Sequence, residues 1–420
     1  MNASSEQKGA KPQMRGFEIA LSVLASLLPI WIVLAHRGIA PTLIAMGLVV
    51  GLQPSLWRRG ARFILAGSSS MVWAARFFFI FCLWAATTGV WAVNSGDARV
   101  ALNVLAPALA AGAIVVATAS RPAGEARILA QVFVGGLIVA VLALLFEATS
   151  GGVLRALTPP TDESYQRFRD FVALGRGATI IAIILFPALA LLAQYRKGDA
   201  VSIALFFAAL LISLRFGIFS NTVALAAGAV AYFFSLTASR KAARVIVGLW
   251  IAAFALAPFA ALIPADALIA DYDGRAPASW LQRLMIWRAA AQSALDCLPL
   301  GCGVEYARSI HELGATIEIA GTDWPLSVMP LHPHSLFLQI WLELGVPGVA
   351  LLALTVFFGG RAIMASGLGA TERAAVAAVA AAFLVSALVE TSIWQVWRVS
   401  ALGLAAIFVG LSHLRRSGRV

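Results

Sequence analysis

The 420-residue chain is expected to be an all-α protein that threads a membrane many times. Three observations predict this. Apolar residues make up 61% of the sequence and charged ones 12%, against about 45–50% and about 25% in soluble domains. Mean hydropathy is +0.88. The apolar residues gather into runs near the ~20 residues that a helix needs to cross the hydrocarbon core. Barrel strands need only about 9–11 residues and alternate in polarity. The composition excludes a disordered chain, a collagen-like fibre and a disulfide-stapled secreted module.

Twelve runs cover 17–35, 39–57, 73–93, 100–119, 128–149, 177–195, 200–214, 217–236, 244–264, 334–358, 374–390 and 396–414. The first follows Lys8, Lys11 and Arg15, as a signal peptide would. It is 19 residues long, holds Pro29 and Trp31, and lacks a small-x-small cleavage site, so it is expected to stay as the first span. The stretch 200–236 reads as one kinked helix or as two short ones turning at Arg215. Charge decides between them. With twelve spans and the N-terminus inside, 19 of the 31 basic residues and 5 of the 20 acids fall inside, a net +14 against −3 outside. Every lysine (Lys8, Lys11, Lys197, Lys241) is inside. Joining the two short helices would put Arg240, Lys241 and Arg244 outside, against the positive-inside rule. We therefore expect about twelve helices with both termini inside. The basic excess then sets orientation, which removes the main sign of nucleic-acid binding.

The expected organisation is spans 1–9 within 1–264, an outer loop domain at 265–333, and spans 10–12 with a tail over 334–420. A further outer loop is expected at about 150–176, with Pro159-Pro160 and four arginines. Inside the large loop, Leu281, Leu284, Trp287 and Leu295 have helical spacing over 279–295. Pro299 and Gly301-x-Gly303 end that helix. No internal repeat of fixed period is found.

Ionisable groups at a membrane boundary are costly and are functional candidates. The outer side carries arginine but no lysine: Arg155, Arg167, Arg169, Arg176, Arg215, Arg275, Arg283, Arg288, Arg308 and Arg398. A guanidinium stays charged and grips phosphate with paired donors, which suits an anionic, phosphate-bearing ligand. The plainer reading, that each snorkels or pairs with an acid, fits any one of them. Arg215 differs, standing at the tip of two short helices with no acid within ten residues on either side.

At the entry to the tenth run stands Leu331-His332-Pro333-His334-Ser335. A neutral imidazole accepts a hydroxyl proton. On a helix starting at His334, Leu338, Trp341, Gly345 and Gly348 share its stripe. The glycines then let another helix or a lipid chain come close. Pro347 kinks the helix, and Glu343 falls on the opposite face. The plainer reading of His334 is a polar helix-entry residue. Two metal sets are weaker: His311 with His332 and His334 for zinc, and Asp271 with Asp273 for a divalent ion. Pro333 would have to aim both rings one way, and Asp beside Gly274 is ordinary turn chemistry. No metal is expected. Cys82 lies in a span as a packing residue. Cys297 and Cys302 lie five apart with Pro299 between them, and two free thiols are expected there rather than a disulfide. There is no Ser-His-Asp elbow, Walker loop or dinucleotide fingerprint, hence no expected cofactor.

His334-Ser335, nine residues, then Gly345-x-x-Gly348 resembles the signature of the O-antigen ligases. Arg283-x-x-x-Trp287 followed by Pro299-x-Gly301-x-Gly303 is similar to the segment before that histidine in the wider ligase and polymerase superfamily. The resemblance implies a GT-C-like fold in the inner membrane of a Gram-negative bacterium, with its active site facing the periplasm. It implies transfer of O-polysaccharide from undecaprenyl diphosphate to a lipid A–core sugar, with inversion and without metal or nucleotide. It maps the essential histidine to His334 and the arginine after the seventh span to Arg215. The loop arginine maps to Arg283 or Arg288; Arg288 is taken as catalytic with His334 and Arg215. Substrate contacts are expected from Arg283, Arg176, Arg398, His332, Ser335, Gly345, Gly348 and Trp287. Phe216-Gly217 after Arg215 departs from the Ser-Arg-Gly of many relatives.

Rivals are an O-antigen polymerase and a protein O-oligosaccharyltransferase on the same carrier. The moderate length, with no further domain expected after Leu414, favours the lipopolysaccharide ligase. A transporter or lipid flippase would place charges at mid-membrane, whereas the unusual charges here gather at one face. Donor glycan, acceptor sugar and oligomeric state are not legible.

Overall fold

The computed structural model describes residues 11–52, 69–93, 99–119, 126–154, 156, 163–263, 278–312, 314, 316–317 and 326–418. Fourteen α-helices account for most of these: α1 (Lys11–Ser26), α2 (Leu28–Leu34), α3 (Ile39–Gly51), α4 (Ser70–Thr87), α5 (Arg99–Ala119), α6 (Ala126–Ser150), α7 (Glu163–Leu192), α8 (Gly198–Arg215), α9 (Phe219–Ala261), α10 (Ala278–Asp296), α11 (Tyr306–Glu312), α12 (Leu336–Ala365), α13 (Ala370–Val389) and α14 (Val396–Arg416). A two-residue antiparallel pair, Thr316–Ile317 with Leu326–Ser327, is the sole sheet among the described residues. Nine of the described helices, α4 to α9 and α12 to α14, are long and apolar enough to cross a membrane; the apolar helices Glu18–Leu34 and His36–Gly51 are shorter. A helix suits such runs because it satisfies its own backbone where water is absent.

α7 is the central post. Residues 180–185 are each no more than 3% exposed, as expected of a helix that is apolar all round. One core joins α1–α3, α5–α8 and α14; a second joins α4, α5, α9, α12 and α13. A smaller third core seats α10 on Leu338 and Leu342 of α12.

α9 is two helices in one. Gly228 packs against the Ala378 carbonyl, while the Trp250 indole donates to Ala380 (3.1 Å). Residues 22 apart span roughly 33 Å in a straight helix, yet these meet neighbouring turns of α13. The chain therefore folds back, and it does so at Ala238, which leaves helical geometry (φ −144°, ψ 58°). Runs 217–236 and 244–264 are its two arms. The turn at Arg215 forms as expected, with Gly217 at φ +65° between α8 and α9.

The break that organises the site lies in α12 at Gly345 (φ 60°, ψ −158°), a conformation nearly restricted to glycine. Pro347 has no N–H to give Glu343, and the break releases the carbonyls of residues 342–344. Other groups take them. Cys302 N donates to Leu342 (2.8 Å), Gly303 N to Glu343 (3.0 Å) and the Trp84 indole to Leu344 (2.9 Å). Val346 N turns to Pro299 (2.9 Å), and the Trp91 indole caps Gly301 (3.0 Å). The 299–303 loop is thus plugged into the broken helix.

Three expectations need correction. α12 starts at Leu336 with Ser335 as N-cap, and His334 has φ 53°. Helical stepping from His334 therefore does not apply, and its supposed stripe to Gly345 and Gly348 is absent. The 150–176 segment is not loop throughout, because α7 begins at Glu163. Cys297 and Cys302 form a disulfide: the Gly301 N–H bonds the Cys297 carbonyl (2.9 Å), and this turn brings the Cα atoms to 5.1 Å, within bonding range.

A Cβ on Gly345 would overlap the Pro299 carbonyl. We expect Gly345→Ala to cost at least ~2 kcal/mol, read as a lowered thermal midpoint in detergent. Gly248→Ala, in open space within α9, should be neutral or slightly stabilising.

Candidate functional site

The site is built at one end of the bundle, where the segment before α12, the turn 390–395 and the first turn of α14 converge. The dihedral at His334 folds its backbone N–H onto His332 Nδ1 (3.2 Å), and the two rings are tilted 59° to each other with centroids 4.5 Å apart. Both histidines are half-buried. Gln395 links them to α14, with its amide nitrogen 3.3 Å from His332 Nε2 and its Oε1 accepting from Arg398 Nε (2.6 Å). Arg398 is only 5% exposed. Its remaining nitrogens donate to Ser386 Oγ (2.5 Å) and Glu390 Oε1 (3.0 Å), and its guanidinium covers the Trp397 ring (4.5 Å). Ser220, at the start of α9, donates to the other Glu390 oxygen (2.5 Å). A buried ion pair persists only when its spare hydrogen-bonding capacity is met, and here serines and Gln395 meet it.

Arg283 of α10 donates to the Val389 carbonyl (3.1 Å), next to Glu390. It faces His334 electrostatically. Burial, then the Arg283 charge, pushes the His334 imidazole down to about 4; Arg398 adds to this and Glu390 opposes it. His332 is held well below its ordinary value by burial, then by His334, Arg398, Arg176 and Arg308. Both rings are therefore uncharged at neutral pH.

The sequence candidates divide. The structure gathers His332, His334, Arg283 and Arg398. Arg176 stands nearby on α7, its guanidinium 3.0 Å from His36 Nε2, and His36 packs edge-on to Trp397 (5.5 Å). Arg215 is exposed and bonds the Ala148 carbonyl (3.2 Å) at the end of α6, five residues before Ser220. Arg288 is half-buried on α10; five residues beyond Arg283, it leaves the helix about 140° away. Trp287 packs in the third core. Ser335 caps α12. Gly345 meets the 299–303 loop, and Gly348 lies against Leu344 and Ile340, so both serve backbone packing. Arg308 pairs with Glu305. Arg155, Arg275, Asp271 and Asp273 lie outside the described residues, as do the side chains of Arg167 and Arg169. His311 Nδ1 is 3.2 Å from the Met329 carbonyl. Among the described residues no three metal-ligating side chains gather.

Sequence reasoning missed Glu390, Gln395, Ser386 and Ser220. Their types are ordinary near a helix end, and the only signal was Glu390 closing an apolar run. An apolar cavity of about 420 Å³ opens beneath, between α9, α12 and α13. Arg398 and Thr391 border one end, and Trp250 and Leu352 line its wall.

Residues 216–353 match the family model described as O-antigen ligase. Over that segment the chain is similar to the O-antigen ligase family. A protein of Rickettsia conorii named as a polysaccharide ligase is 26% identical over 283 residues, 65% of this chain and 64% of the relative. The chain thus spans less than two thirds of that relative's length. The matched segment holds both histidines, Arg283 and the 299–303 loop; Arg176, Glu390 and Arg398 lie outside it.

The unfolded chain protonates these histidines near 6.5, while the folded site resists protonation down to about 4 at His334. Stability is then full above ~6.5 and lost as pH falls toward ~4. We expect the thermal midpoint in detergent to drop across that window, and a His332→Gln/His334→Gln variant to flatten the drop.

Proposed function

We propose that this chain is an O-antigen ligase. In this reading it transfers polysaccharide from undecaprenyl diphosphate to a lipid A–core sugar, at the periplasmic face of a Gram-negative inner membrane. About twelve membrane crossings with both termini cytoplasmic suit the charge distribution and the two arms of α9. The observation that carries the reading is an uncharged His334 imidazole held beside Arg283 and Arg398, over an apolar cavity suited to an isoprenoid tail.

The donor's diphosphate lies against Arg283, with Arg176 nearby and the Glu390-paired Arg398 behind it; Arg215 and Arg288 meet its outer groups. The arriving negative charge offsets the arginines that hold His334 down, so the imidazole becomes more basic when donor binds. His334 takes the proton of the acceptor hydroxyl. The oxygen forms a bond to the anomeric carbon as the carbon–oxygen bond to diphosphate breaks. The diphosphate leaves with the electron pair, its charge met by guanidinium groups already in place. One displacement inverts the anomeric centre. No metal or cofactor has a role in this reading.

His334→Ala should abolish transfer. On a lipopolysaccharide gel the ladder disappears while carrier-linked polymer accumulates; loss of the polymer itself would instead indicate a polymerase. Arg283→Lys keeps the charge but not the paired donors, and should lower transfer by ~10–100-fold. An unchanged rate with either variant overturns the assignment of that residue.

A further inference from the structure

Behind the histidines lies a carboxylate that the mechanism above does not use. Glu343 of α12 is fully buried, two residues before the break. Its Oε1 accepts from Gln339 Nε2 (3.0 Å) and its Oε2 from the Trp394 indole (2.6 Å). Gln339, 1% exposed, accepts the Ile393 N–H at Oε1 (3.1 Å). The two groups held, the Trp394 indole and the Ile393 N–H, both belong to the turn 390–395. That turn also carries Glu390, the partner of Arg398, and Gln395, which touches both His332 and Arg398. The Glu343 carbonyl meanwhile receives Gly303 N (3.0 Å). One residue thus ties down both the turn 390–395 and the 299–303 loop.

We propose that Glu343 is a positioning residue: with Gln339 it latches the turn 390–395 onto α12 and so holds Gln395 and Glu390 against the histidine–arginine cluster. The role in transfer rests on the reading of that cluster as the reaction centre; the latch itself rests on hydrogen-bond bookkeeping. Both oxygens of Glu343 accept. An amide at 343 would turn an NH2 toward the Trp394 indole or toward the Gln339 amide. Rotating Gln339 to meet it would strip Ile393 N–H of its acceptor. A buried donor left unmet is costly, so the turn gives way. Exchanging the two side chains repairs every contact. The amide at 343 then accepts from Trp394 and donates to the carboxylate at 339, which also accepts from Ile393.

The test uses the purified full chain in detergent. Wild type, Glu343→Gln, Trp394→Phe and the double variant Gln339→Glu/Glu343→Gln are treated with diethyl pyrocarbonate, and modification of each histidine is followed by mass spectrometry. His413, at the far end of α14, is the internal control. Glu343→Gln and Trp394→Phe should raise the modification rates of His332 and His334 by at least about threefold, as local opening exposes them, with His413 unchanged. The double variant should return to the wild-type rate. Where Glu343→Gln fails to fold, Trp394→Phe and the double variant carry the comparison. Unchanged rates at His332 and His334, an equal rise at all three histidines, or a double variant as reactive as Glu343→Gln would overturn the latch. Faster modification with polysaccharide transfer intact would leave the latch but overturn the positioning role and the reaction centre beneath it.

Discussion

The organisation of this protein depends on what happens to three backbone carbonyls. Where α12 breaks at Gly345, the carbonyls of Leu342, Glu343 and Leu344 lose their helical partners. In a medium without water each unsatisfied group costs several kcal/mol, so the break persists only because other groups fill it. Backbone amides of Cys302 and Gly303 and the indole of Trp84 do so. The same contacts plug the 299–303 loop into the helix. Gly301 and Gly345 leave room for this close approach, and the Cys297–Cys302 disulfide closes the loop at its base.

The second constraint is electrostatic. Arg398 is nearly buried, and it is tolerable there because Glu390, Ser386 and Gln395 take all its nitrogens. The histidines respond oppositely to the same environment. Burial and neighbouring guanidinium charge keep them neutral. A site rich in positive charge thus contains two imidazoles that carry none.

The helical class, most run boundaries to within a few residues (α7, starting at Glu163, and α12, ending at Ala365, are exceptions) and the turn at Arg215 were legible, because apolar run length and glycine placement are local signals. The helix at 279–295 was also readable from its spacing, and α10 covers it. The signature residues His334, Gly345 and Gly348 were visible as a pattern, but their geometry was not. A uniform helical step was extended through His334, whose positive φ places it outside the helix. The disulfide was missed for a related reason. Pro299 was weighed as an obstacle, whereas the Gly301-to-Cys297 hydrogen bond that closes the turn depends on backbone conformation rather than residue type. Nor did any local signal separate Arg283 from Arg288; position around α10 relative to α13 does that.

Composition and apolar spacing by themselves determined that this chain is a bundle of apolar helices, and the charge pattern gave the expectation of arginines without lysine on one side. Those properties follow from each segment's own energy in lipid or water. Only the tertiary structure decided which arginine faces His334, that Glu390 and Gln395 complete the cluster, and that Glu343 sits behind it. Those pairings join residues dozens to hundreds of positions apart, and each exists only because folded helices bring donors to acceptors that have nowhere else to bond.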